Sequence, residues 1–146
     1  MNLATFLAHA VKLEWEAQKH YQHLAEVTQA LNSHEVAAFF HEMVGFSSRH
    51  FHDALQRAGL RDISELPDID YQWPAGMPPE VLSGNIVDLD RAMQLSLQAE
   101  RRGAEFYAGI AARAADPEVR HIAGTFAAEE REHEQALLRF IGAQPY

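Results

Sequence analysis

The first thirty positions carry their apolar residues at helical spacing. Leu3, Phe6, Leu7, Ala10, Val11, Ala17, Tyr21 and Leu24 lie at separations of three, four and seven, with no Gly or Pro among them. That stripe predicts a core-facing helix over about 2–30, roughly 40 Å long at 1.5 Å per residue. Val36, Phe39, Phe40, Met43, Phe46, His50, Ala54 and Leu55 repeat the pattern and predict a second helix over about 33–58. Ser33 suits its N-terminal cap and Gly59 its C-terminal one. Between about 60 and 85 the pattern stops. Pro67, Pro74, Gly76, Pro78, Pro79 and Gly84 exclude a long helix there, and no strand alternation replaces it. Leu89, Met93, Leu97, Ala104, Tyr107 and Ile110 then predict a helix over about 87–115. Asp116 and Pro117 cap and open a fourth helix over about 117–141, with Val119, Ile122, Phe126, Leu137 and Phe140 on its inner stripe.

The sum is an all-α domain spanning 1–146, built as two helical hairpins joined by one long crossover. The crossover is too long for a turn between neighbouring antiparallel helices, and long enough to travel the length of a bundle. Tyr71, Trp73 and Met77 are expected to pack it down. A domain linker is the other reading, but neither hairpin alone could cover its apolar face. This topology is that of a ferritin-like four-helix bundle.

Composition narrows the chemistry. The chain has 146 residues, 12 Lys and Arg against 21 Asp and Glu, a formal charge of -9 and no cysteine. An acidic chain repels phosphate backbones, so neither nucleic acid nor an anionic membrane is expected as partner. No apolar run reaches the ~18 residues of a membrane span. The N-terminus lacks a basic stretch and enters an amphipathic pattern directly, so a cytoplasmic location is expected. Without cysteine, any metal must be held by carboxylate, imidazole or other oxygen groups.

Three polar residues interrupt the apolar stripes. Glu14 lies seven residues from both Leu7 and Tyr21, Glu100 seven from Met93 and Tyr107, and His133 seven from Phe126 and Phe140. A carboxylate in such a place is costly unless it is paired or bound to a metal. The plainer reading is a stripe-edge Glu that reaches water through its flexible stem. Two Glu-x-x-His pairs occur. Glu118/His121 falls in the first turn of its helix, where an acid suits the helix dipole, and reads as structural. Glu130/His133 lies mid-helix, where both can face inward.

An internal repeat strengthens the second reading. An offset of 86 places Glu14 on Glu100, Tyr21 on Tyr107, Leu24 on Ile110 and Ala25 on Ala111. An offset of 83 places His50 on His133, Leu55 on Leu138 and Gly59 on Gly142. Each hairpin would thus present a Glu on its first helix and a His on its second. Folded about a pseudo-twofold axis, the two would gather four or five ligands for a pair of iron or manganese ions.

With these motifs in order, the sequence resembles the rubrerythrin-like branch of the ferritin-like superfamily over nearly its whole length. The family pattern is a Glu seven residues before a Tyr on helices one and three, and Glu-x-x-His on helices two and four. Glu14 with Tyr21, Glu100 with Tyr107, and Glu130 with His133 match it, and the stretch from Ala99 to Tyr107 (AERRGAEFY) is typical. The resemblance implies Glu14, His50, Glu100, Glu130 and His133 as metal ligands. It places Tyr21 and Tyr107 behind them, able to hydrogen-bond a ligating carboxylate or bound oxygen, although packing alone is a common role for such tyrosines. The one departure is Ser47-Ser48-Arg49-His50, where serine stands in place of the glutamate. Glu42 points about 140° away from that position, whereas Glu134 lies beside the inward face of its helix, placed to swing in. The site would then hold two ions unequally, one ion, or none.

The function implied is metal binding, to iron above all with manganese or zinc as alternatives. The redox chemistry implied is an oxidoreductase of peroxidase or ferroxidase type, acting on peroxide or oxygen. The family's cysteine-rich electron-transfer domain is expected to be absent, and its electrons to come from a separate donor protein. The rival is a non-catalytic descendant whose partial site, marked by Ser47, serves structure, sensing or a partner. A metal-free bundle in which the inward acids pair with histidine is the third reading. A homodimer is expected from aromatic residues such as Trp15 and Phe51 off the main stripes. Histidines 9, 20, 23, 34, 41, 52 and 121 mostly read as solvated. His41, His52 and Asp53 could at most form a surface zinc or nickel site.

Overall fold

The computed structural model describes residues 1–71 and 88–143. Four long helices account for most of them: α1 (Leu3–Ala30), α2 (His34–Ala58), α3 (Leu89–Arg113) and α4 (Pro117–Ala143). A single 3-10 turn, Ile63–Glu65, follows α2, and no strand occurs among the described residues. Each boundary lies within about two residues of the one read from the periodicity. The crossover expectation for Trp73 and Met77 falls outside the described residues.

The chain divides into two compact units, one built on the α1–α2 hairpin and the other on α3–α4. In the first, α1 packs along α2 through a core that includes Phe6, Val11, Tyr21 and Leu24 with Phe40, Met43 and Ala54, all essentially inaccessible. The Tyr21 and Phe40 rings stack with centroids 6.1 Å apart. The tight connection at 31–33 places Asn32 at φ 59, a left-handed conformation that Asn tolerates better than most residues. The N–H groups of Leu31, Asn32 and Ser33 return to the carbonyls of Val27, Gln29 and Thr28 at 2.9–3.0 Å. Tyr71 closes the described part of the crossover onto α1. Its ring lies 5.0 Å from that of His9, and the Lys12 ammonium sits 5.0 Å above it. Burial and the nearby Asp68 push its hydroxyl above the usual phenol range.

Helix α2 ends at Gly59, whose φ of 72 lets its N–H reach the Gln56 carbonyl while Leu60 N–H reaches Leu55. No atom lies within 4 Å of a side chain added there, so any cost of substitution is purely backbone. Gly59→Ala is therefore expected to destabilise the protein by about 1 kcal/mol, read as a lower midpoint in urea with an unchanged slope.

In the second unit, Met93, Leu95, Ala104 and Tyr107 of α3 pack with Val119, Phe126 and Leu137 of α4. Tyr107 meets Phe126 edge-on at 5.4 Å. Asp88 opens α3 by accepting from Arg91 N–H at 2.7 Å. Asp116 does the same for Glu118 N–H at 2.8 Å ahead of Pro117. Arg120 ties the connection by donating to the carbonyls of Ala114 and Ala115.

Candidate metal centre

Each hairpin carries a histidine–glutamate approach at the same register. In the first, His50 Nδ1 lies 3.9 Å from an oxygen of Glu14, which is 2% exposed. In the second, His133 Nδ1 lies 3.4 Å from an oxygen of Glu100, with both residues buried. The two pairs are related by the offsets of 86 and 83 found in the sequence, so the repeat is structural. Glu14 is flanked on α1 by buried Ala10, Val11, Leu13 and Tyr21, and Glu100 on α3 by buried Met93, Ala104 and Tyr107. Both carboxylates face inward, against the edge-of-stripe reading.

The second hairpin adds a third group. Glu130, 5% exposed, presents a carboxylate oxygen within 4.8 Å of a ring nitrogen of His133, one turn along α4. Gly103 on α3 makes room for it, because a methyl at that Cα would sit 3.2 Å from Glu130 Oε2. In the first hairpin the corresponding position is Ser47, which is 2% exposed and too short to bring an oxygen forward in the same way. Neither alternative acid replaces the missing glutamate. Glu42 is exposed, and Glu134 is held by Arg101 at 3.0 Å on the rim of its own hairpin.

The donor set suits a hard or borderline divalent cation. Metal–ligand bonds of about 2.0–2.2 Å set adjacent ligand atoms roughly 3.0–3.4 Å apart, close to the separation of Glu100 and His133. When ionised, the two buried carboxylates carry more charge than one imidazolium could balance. A cation offsets that charge where water cannot. The mix of carboxylate and imidazole without sulfur fits iron or manganese, with zinc also admissible.

Tyr21 and Tyr107, at 1% and 0% exposure, are wholly buried on the same helices as Glu14 and Glu100, one in each hairpin. Glu118 and His121 are both exposed, in keeping with their structural reading. Two histidines depart from expectation. His9 and His20 are buried at 1% and 5% rather than solvated. His9 achieves this locally, since its Nδ1–H donates to the Thr5 carbonyl at 2.8 Å and Tyr71 covers the ring. His20 packs against the neighbouring Tyr21 ring at 5.4 Å. No residue type announces the burial of His9, because its acceptor is a backbone carbonyl that any residue at position 5 would present. His41, His52 and Asp53 form no ligand cluster among the described residues, and Asp53 instead pairs with Arg57 at 3.0 Å.

No helix among the described residues is long and apolar enough to cross a membrane. No curated protein matches the sequence. Among solved structures, an uncharacterized conserved protein from Magnetospirillum magnetotacticum MS-1 is similar to this chain. It is 38% identical with a TM-score of 0.83, and the match covers 100% of this chain and 97% of that one. The fold class is accordingly all-α, the ferritin-like four-helix arrangement of two hairpins. Residues 5–141 match the rubrerythrin family, covering both histidine–glutamate pairs and the serine departure. The chain belongs to the rubrerythrin family.

Proposed function

We propose that this chain binds iron through carboxylate and imidazole groups and that its two hairpins share the load unequally. Family membership implies a pair of iron ions. Glu100, Glu130 and His133 supply three protein ligands from one hairpin, whereas Glu14 and His50 supply two from the other. The observation that carries this reading is the buried Glu100–His133 approach at 3.4 Å, with a Glu130 oxygen within 4.8 Å of the same imidazole, against 3.9 Å and a serine in the first hairpin. Bound iron would supply one-electron redox chemistry toward hydrogen peroxide or oxygen. Around it, Tyr21 and Tyr107 would orient a carboxylate or an oxygen ligand through their hydroxyls, and the apolar neighbours would keep bulk water away. Return of electrons by a separate donor protein, a cytoplasmic setting and a homodimer through the Trp15 and Phe51 surfaces belong to the same proposal.

The second reading is a non-catalytic metal protein, favoured by one observation. Ser47 is buried, so the first hairpin is finished around a small residue rather than left open for a missing ligand. Metal analysis with ferrous loading separates the readings. The redox proposal expects tight iron binding and rapid oxidation on adding peroxide, seen as near-ultraviolet ferric absorption. Binding without oxidation selects the second reading, and a protein that takes up no iron, manganese or zinc contradicts both.

A further inference from the structure

Gly103 lies in the interior of α3, where glycine weakens a helix relative to alanine, so its presence asks for a reason. Its buried Cα is overlain by the Glu130 side chain. An added methyl would meet Oε2, Cδ and Cγ of that residue at 3.2, 3.4 and 3.6 Å. Among the described residues, the other glycines lack this relation. Gly45, Gly59, Gly124 and Gly142 have nothing within 4 Å, and Gly109 faces only the mobile tip of Arg113 on its own helix. Gly103 also stands three residues beyond Glu100, one turn along the same face. A methyl there would act on the distance between the two carboxylates. The end of a glutamate is flexible, so the carboxylate would shift by a few tenths of an ångström and the helices would stay packed.

The internal repeat shows the reciprocal arrangement. The offset of 86 places Gly103 on Ala17, and the offset of 83 places Glu130 on Ser47. The registers are shared, because the same offsets relate Glu14 and His50 to Glu100 and His133, which approach one another in both hairpins. One hairpin therefore pairs glycine with glutamate, and the other pairs alanine with serine. A methyl has appeared where the long side chain has gone.

We propose that Gly103 is a positioning residue that sets the Glu130 carboxylate for metal binding. The inference rests on the metal-binding reading above.

The test is calorimetric titration with manganous ion, which needs no redox turnover, together with the melting temperature of the metal-free protein. Gly103→Ala is expected to melt at the same or a higher temperature and to bind manganese about tenfold more weakly. Those opposite signs are the mark of a positioning role, since a residue needed only for packing would lower both. Unchanged affinity in Gly103→Ala, or a fall in its melting temperature, would overturn the proposal. Failure of the unmodified protein to bind manganese or iron would instead overturn the reading on which it rests, and this proposal with it.

Discussion

Glu130→Gln is expected to weaken ferrous or manganous binding by at least about a hundredfold while leaving the metal-free protein as stable as before, or more so. The amide keeps the shape of the side chain, so the space over Gly103 stays filled and no cavity opens. What is lost is a charged ligand with 5% exposure, one of three that the second hairpin provides. Substitutions that merely support a ligand cost roughly 10–100-fold in affinity, and loss of the ligand itself should cost no less. Without metal the sign reverses. Removing one of two buried carboxylates relieves like charges in a poorly hydrated place, which is neutral or stabilising when shape is kept. Glu118→Gln is the control: that side chain is exposed in the first turn of α4 and should leave metal affinity unchanged. Equal losses in both variants would mean that general surface charge, not the buried set, attracts the ion.

The second large effect concerns packing. Phe126→Ala is expected to destabilise the metal-free protein by roughly 3–5 kcal/mol. Phe126 is 3% exposed and lies against the edge of Tyr107, one turn before Glu130 on the same helix. A cavity there removes the contact that seats α3 against α4 beside the ligands. Against a typical total of about 5–15 kcal/mol, that loss should be visible as a large drop in urea midpoint. Saturating metal should recover part of it, because an ion that binds only the folded chain stabilises by mass action. Phe39→Ala is the comparison. Phe39 is only half-buried, so its truncation should cost less and should not change the response to metal.

Why the helices were legible in the sequence follows from their length. Each of the four runs through several turns of consistent spacing, and the punctuation at Gly59, Asp116 and Pro117 acts through local backbone chemistry that needs no tertiary knowledge, whereas Ser33 stands ahead of α2 without a side-chain capping hydrogen bond. The Gly59 cap and the Asp116 cap are formed as their residue types require. The inward Glu14, Glu100 and His133 were legible for a related reason: a polar residue seven positions from two large apolar ones on either side has only one face to occupy. The repeat then singled out the Glu–His registers that approach in both hairpins.

Other features depended on distances that periodicity does not encode. His9 is buried because its ring is satisfied by a carbonyl one turn back and covered by a residue from beyond the hairpin, Tyr71. Glu134 lies beside the ligand face, but Arg101 on the neighbouring helix claims it, which no spacing rule along α4 could show. Gly103 sits within the stretch AERRGAEFY, where nothing in the spacing singles it out. Its reason emerges only when the Glu130 side chain is seen lying over it.

The most direct test of the central claim is the anomalous-scattering map of a crystal grown with ferrous or manganous ion. The account predicts a peak within about 2.0–2.3 Å of oxygens from Glu100 and Glu130 and a ring nitrogen of His133. It also predicts that this position fills before any position at Glu14 and His50. A map whose strongest peak avoids those three side chains, lying for example at an exposed histidine such as His41 or His52, would contradict it.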